Sequence, residues 1–201
     1  IERIVKQLFA ERGVFGPDLA ARTNNPMSVG VYEARGGKLP RKRPQPIVTE
    51  LRDGSHVEGK GWTLRALEVP HGQPQLRCLA YRLNAGGASL VYTGDTGPCD
   101  KLVAFAKDAD VMIHMCHFLA GTALNDGMAI CCSDHLTAAR HARDAQVRTL
   151  VLTHVTPPMD IDGIRERMLH EVAEVFDGTV IFGRDGMTID AKRNRRGGKP
   201  I

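Results

Sequence analysis

Apolar residues recur at Ile1, Ile4, Val5, Leu8 and Phe9, with Glu2, Arg3, Lys6 and Gln7 between them. That spacing is the period of a short amphipathic helix. The period is then lost. From Gly13 to Pro46 the pairs Gly16-Pro17, Asn25-Pro26 and Gly36-Gly37, with Pro40, Pro44 and Pro46, interrupt any long element, and the expectation is a long irregular connection. Strand patterns follow at Ile47 to Leu51, Trp62 to Val69, Arg77 to Leu83 and Ser89 to Thr93, with a turn at Asp53-Gly54 and a hairpin at Asn84-Ala85-Gly86-Gly87.

After Asp95 the pattern alternates. Helix is expected over Lys101 to Lys107, strand over Val111 to His114, and loop over Gly121 to Cys132. Ser133-Asp134 reads as the N-cap of a helix from Leu136 to Ala145. A strand at Thr149 to Thr153 is stopped by Pro157-Pro158. Asp160 or Asp162 is the expected cap of a helix over Ile164 to Phe176, followed by strands at Thr179 to Phe182 and Met187 to Ile189. Strands in succession, then strand and helix in alternation, predict an α/β layered fold with functional residues at one rim.

Composition narrows the class. With 201 residues, 42% hydrophobic and 25% charged, the chain can bury a sizeable core. No apolar run approaches eighteen residues, so no membrane-spanning helix is expected. The net charge of +4 is modest, but basic residues concentrate in Lys38 to Arg43 and in a tail, residues 191–201, that is expected to be disordered. Either cluster reads as a solvated surface or as a polyanion-binding patch. The five cysteines are odd in number, form no CxxC and include the adjacent Cys131 and Cys132. That pattern predicts a reducing, cytoplasmic setting. The chain starts with Ile, partway into an amphipathic pattern, so an upstream segment is expected to be missing.

The candidate chemistry lies at strand ends. His71 follows Leu67 to Pro70, Asp95 follows Val91 to Gly94, and His154 follows Leu150 to Thr153. Two imidazoles and a carboxylate suit a borderline divalent ion such as zinc, and a carboxylate can bridge two ions. The interval from 71 to 95 (95 − 71 = 24 residues) is enough for a hairpin that returns the chain to the same rim. Each histidine could instead be a hydrogen-bonded core imidazole, and Asp95 a turn residue.

The segments VPHGQP (69–74), VYTGDTGPCD (91–100), DVMIH (110–114) and LVLTH (150–154) resemble the second half of a metallo-β-lactamase-fold hydrolase of the ribonuclease Z-like branch. The resemblance runs from about Trp62 to Ile189. It implies an αββα sandwich, mostly its C-terminal half, with residues 1–190 forming a domain that lacks its N-terminal segment. It also implies two divalent metal ions, with zinc the best match. His71 would bind one ion, His154 the other, and Asp95 would bridge them and hold the hydroxide nucleophile's metals in place. His135, in Ser133-Asp134-His135-Leu136-Thr137, resembles a second catalytic histidine that donates a proton or steadies an oxyanion. The alternative reading is a helix-start residue.

Two departures bear on function. The upstream HxHxDH motif of the family is absent, so this chain by itself offers three ligands and a missing segment would complete the site. The family also follows the histidine at 114 with a glutamate that orients the second catalytic histidine, whereas this chain has His114-Met115-Cys116-His117. His114 and His117 read as metal-site support or as packing, and His56, His141 and His170 as surface residues. Three functions follow: hydrolysis of a small carboxylic, lactone, sulfate or phosphate ester; tRNA 3′-end cleavage, with RNA as partner; or non-catalytic binding on the same fold. A small-molecule substrate and a homo-oligomer are the expected partners.

Overall fold

A computed structural model describes residues 1–192, so the basic tail from Arg193 on lies outside the described residues. Two compact units divide the chain, Ile1–Leu51 and the remainder from Arg52.

In the first unit, α1 (Glu2–Phe9) is the helix expected from periodicity. The connection after it is not irregular: α2 spans Gly16–Asn24 and α3 spans Pro26–Ala34. Two of the prolines read as interruptions sit at helix starts instead. Pro17 and Pro26 occupy first-turn positions, where a missing N–H costs nothing. Asn25 caps α3 by accepting the N–H groups of Met27 and Ser28 at 3.0 and 3.4 Å. The expected strand from Ile47 to Leu51 does not form, and Ile47 is 97% exposed. Two residues of the basic cluster serve the helices. Arg43 donates to the carbonyls of Phe9 and Ala10 at the end of α1, and Arg41 to Arg22 O in the last turn of α2, so both cations sit at the negative ends of helix dipoles.

The second unit is built on one seven-stranded sheet whose spatial order follows the sequence: β1 (His56–Gly59), β2 (Trp62–Val69), β3 (Cys78–Ala85), β4 (Ala88–Tyr92), β5 (Val111–Met115), β6 (Thr149–Thr153) and β7 (Thr179–Phe182). Strand β1 was not anticipated; it pairs antiparallel with β2 around Lys60-Gly61. Strands β1 to β4 are antiparallel, and β4 to β7 are parallel. The hairpin between β3 and β4 is tighter than expected, with Ala85 opposite Ala88 and Gly86 and Gly87 both at positive φ.

Helices α4 (Asp100–Ala106), α6 (His135–Asp144) and α7 (Ile164–Val175) make the crossovers. Alternate strand residues Val69, Ala80, Val91, Met112, Leu150 and Leu152 pack with Leu102, Phe105, Ala138, Ala142, Met168 and Val172 in the main core. Asp134 caps α6 as expected, accepting Thr137 N–H at 2.7 Å. Neither Asp160 nor Asp162 caps α7. They pair with Arg165, and Gly163 takes the cap position at φ 86°, with Glu166 accepting its N–H. Within the expected loop, Asp126–Cys131 forms α5, capped by Asn125 through Met128 N–H at 2.9 Å. Met187 to Ile189 is not a strand. Of the expected αββα sandwich, the described residues supply one mixed sheet and its helical layer. The sheet's other side carries Leu64, Leu79, Tyr81, Leu83, Leu90 and Ile113, all only partly buried.

Candidate metal centre

Strands β2 and β4 both run antiparallel to β3, so they point the same way, and β5 and β6 run parallel to β4. The residues just past their carboxyl ends therefore share one rim, the edge at which open α/β sheets bind ligands. His71 lies two positions past β2, Asp95 three past β4, His117 two past β5 and His154 one past β6. A backbone bond locks two of these exits together: Gly97 N–H donates to Pro70 O at 2.7 Å, beside His71. Gly97 has no alternative there, because a Cβ would meet Ile130 O at 1.7 Å.

The three expected ligands converge. Asp95 Oδ2 stands 3.8 Å from His71 Nε2 and 3.5 Å from His154 Nε2. Two donors that share one tetrahedral ion at bond lengths of about 2.1 Å sit about 3.4 Å apart, so each imidazole is at ion-sharing distance from the same carboxylate oxygen. Among the described residues, no three histidine, cysteine or carboxylate side chains form a finished metal cage. The two facts agree if Asp95 bridges two positions, each given two ligands by this chain.

Tautomers strengthen the fit. His71 Nδ1 faces the carbonyl of Cys131 at 2.7 Å. A carbonyl only accepts, so Nδ1 carries a proton, and in the neutral imidazole Nε2 then turns its lone pair toward Asp95. A lone pair opposite a carboxylate oxygen at 3.8 Å makes no hydrogen bond and is electrostatically unfavourable. A cation between them resolves that contact. His154 holds a left-handed backbone, φ 57°, which costs on the order of 1–3 kcal/mol and is a feature of constrained functional positions. The side chains are partly open to solvent: 28% for His71, 39% for Asp95 and 42% for His154. A cleft of about 580 Å³ opens beside His154, with Ile113, Val151, Phe182 and Met187 among its walls.

His117 joins this group. Its Nδ1 lies 3.2 Å from Nδ1 of His154, with the rings edge-on. Burial, followed by the neighbouring His154 imidazole, holds its pKa below the usual histidine range against the pull of Asp95, with His71 lowering it further. Cys132 also borders the site, its Sγ 4.0 Å from His71 Nδ1, and burial pushes its thiol pKa up.

His135 is placed differently. It is 1% exposed at the start of α6, its Nδ1 accepts Ala120 N–H at 3.2 Å, and its Nε2 donates to Glu171 Oε2 at 2.7 Å. Both ring nitrogens are thus engaged. Glu171, on α7, also accepts from Arg167 at 2.7 Å, and these two bonds, Arg167 first, hold its pKa below the ordinary carboxylate value. Sequence reasoning passed over Glu171, whose spacing from Arg167 signals only a surface helix pair.

His141, expected on the surface, is 6% exposed. It accepts Cys99 N–H at 3.2 Å through Nε2, and its Nδ1 donates to Nε2 of the fully buried His114 at 2.9 Å. His114 Nδ1 in turn donates to Met115 O at 2.7 Å. Every nitrogen of the pair is satisfied, and burial drives the pKa of His114 down to about 3. His114 therefore packs behind the rim and does not face it. His56 and His170 are surface residues, with side chains 50% and 77% exposed.

The sequence is similar to known proteins over the same span. The model of the beta-lactamase superfamily domain matches residues 18–155. A ribonuclease Z of Haloferax volcanii is 30% identical over 167 residues, 80% of this chain and 49% of that protein. The probable metallo-hydrolase YhfI of Bacillus subtilis is 34% identical over 125 residues, 62% of this chain and 47% of the relative. The crystal structure of YhfI, described as a metallo-beta-lactamase fold protein, superposes with a TM-score of 0.58 at 28% identity, covering 68% of this chain and 53% of that one. Zn²⁺-bound PqqB from Methylobacterium extorquens shares the fold, with a TM-score of 0.51 at 19% identity over 70% of this chain and 54% of that one. The chain spans about half the length of the curated relatives it matches. Through the matched domain and the fold it shares with YhfI, this chain belongs to the beta-lactamase superfamily, among the metallo-beta-lactamase-fold hydrolases.

Proposed function

We propose that the protein hydrolyses an ester-like substrate, a carboxylic, lactone, sulfate or phosphate ester, at a centre of two divalent ions, zinc being the ion its ligands suit best. The observation that carries this reading is the single carboxylate oxygen Oδ2 of Asp95 facing Nε2 of both His71 and His154, at 3.8 and 3.5 Å. His71 and His154 would each hold one ion and Asp95 both. When bound, such ions supply Lewis acidity and make water acidic enough to attack near neutral pH. The chain's own part is to present Nε2 of both imidazoles to Asp95, to fix Asp95 between them through the Gly97–Pro70 bond, and to leave a cleft beside His154, walled by Ile113, Val151 and Phe182 together with Asp160, Arg184 and Asp185, for the substrate. Two ligands per ion leave each coordination shell incomplete, so the reading includes further ligands from a segment beyond this chain.

A second reading, cleavage of tRNA at its 3′ end, draws on the ribonuclease Z relatives and on one structural observation. The glutamate missing after His114 has a counterpart in Glu171, which orients His135 at 2.7 Å. His135 would then act at Nδ1 once Ala120 N–H is released: it would take up a proton there, as an imidazolium paired with Glu171, and give that proton to the leaving group. Against it, Arg41 and Arg43 of the basic cluster are committed to helix ends.

Metal analysis of the full-length protein tests the common core. Two equivalents of zinc are expected in the wild type, with turnover of bis(p-nitrophenyl) phosphate or p-nitrophenyl acetate. Absence of bound metal would sink the hydrolase reading and leave a non-catalytic binding protein. Turnover of precursor tRNA far above that of the small esters, falling steeply with salt, would select the second reading.

A further inference from the structure

The two imidazoles beside Asp95 are oriented by different means. His71 is set by a main-chain carbonyl, Cys131 O. Among the described residues His154 has no such carbonyl on its Nδ1; it has the ring of His117 at 3.2 Å. Only one proton can lie between two Nδ1 atoms. If His117 is the donor, His154 keeps its proton on Nε2, pointing at Asp95 Oδ2 across 3.5 Å, and that face cannot bind a cation. If His154 is the donor, its Nε2 lone pair faces Asp95, as in His71.

The backbone of His117 is built to hold the ring there. Its N–H donates to Ser133 O at 2.9 Å, and its carbonyl accepts the Thr156 hydroxyl at 3.2 Å. Thr156 lies two residues past His154, so the loop that carries the ligand is tied to the residue that orients it. The neighbouring amide is fixed as well, since Cys116 N–H donates to Thr153 O at 2.8 Å.

We infer that His117 is the positioning residue of His154: it accepts the Nδ1–H of His154 and so sets the tautomer whose Nε2 binds an ion beside Asp95. This rests on the metal-centre reading above. A ligating histidine commonly gives its second N–H to a hydrogen-bond acceptor, and removing that acceptor weakens metal binding about 10- to 100-fold.

The test is Co²⁺ binding to the full-length protein, followed by the visible d–d spectrum and by competition with a chromophoric chelator. His117→Phe keeps an aromatic ring but has no acceptor. His117→Asn offers Oδ1 near the place of Nδ1. The expected result is a loss of about 10- to 100-fold in affinity for one of two cobalt ions in His117→Phe, with an altered d–d spectrum, and affinity within about threefold of wild type in His117→Asn. Unchanged binding of both ions by His117→Phe, or equal weakening by Phe and Asn, would overturn the inference while leaving the metal centre standing. A wild-type protein that takes up no cobalt would instead remove the metal centre itself, and this inference with it.

Discussion

Two histidine groups leave the same strand three residues apart and meet opposite fates. His114, within β5, is fully buried; it and His141 satisfy all four ring nitrogens with protein partners. His117, just past the strand, stands in a half-open group with His154, His71 and Asp95, where two Nε2 atoms face a carboxylate without a hydrogen bond. The first group is finished by the chain itself. The second is not closed by such bonds: Asp95 Oδ2 and the two Nε2 atoms face one another across 3.8 and 3.5 Å. Burial costs an imidazole its charge, whereas a partly solvated rim lets its lone pairs remain available.

Four experiments would break or sharpen that contrast. The largest effect is expected at the open group: Asp95→Ala removes the shared oxygen, so both ions and all turnover should be lost while folding persists. Full metal content in this variant, measured by elemental analysis, would show that Asp95 is not the bridge.

At the closed group the effect is on stability. His114→Ala leaves a cavity and strips His141 Nδ1–H of its acceptor, which should cost about 3–5 kcal/mol in urea unfolding. His117→Ala should cost far less. Equal costs would erase the distinction between the groups.

Acid should separate them too. Burial lowers the pKa of His114 from 6.5 to about 3 and also lowers that of His141. Below pH 6.5 the unfolded chain therefore binds protons that the folded chain refuses, so stability falls as pH drops through 6.5 and levels off for His114 near 3. The slope is at most about 1.4 kcal/mol per pH unit for each histidine. Urea midpoints of the metal-free protein between pH 7 and 5 should show this decline, and a His114→Gln variant should show a shallower one.

The smallest effect concerns His135. His135→Ala is expected to lower turnover with metal content intact, and Glu171→Gln to lower it less. An unchanged rate in both would leave the pair as the link between α6, α7 and the Ala120 loop.

The strand ends were legible because apolar runs and the residues after them are local: β2, β4, β5, β6 and β7 fall where the partial alternation of Trp62 to Val69, the runs before Asp95, His114 and His154, and the run of Thr179 to Phe182 put them. The same local reading failed between Gly13 and Pro46, where prolines and glycines mark helix starts as readily as breaks. It also failed at α5, which is only six residues long and carries no period. His141 was read as exposed because it is polar on a helix; its burial follows from the packing of α6 on the sheet, with His114 as its partner.

Residue order alone determined which groups are available at the rim: an imidazole, a carboxylate and an imidazole, each just past an apolar strand, in a pattern that marks the family. Only the tertiary structure decided which atoms of those groups face one another. It is the parallel run of β4, β5 and β6, with β2 pointing the same way, that brings four strand exits to one edge, and it is distant partners, Cys131 O for His71 and His117 for His154, that bear on which nitrogen holds the proton. A sequence lists donors and acceptors, but a tautomer is set by the neighbour across space, and that neighbour lies 60 residues away for His71 and 37 for His154.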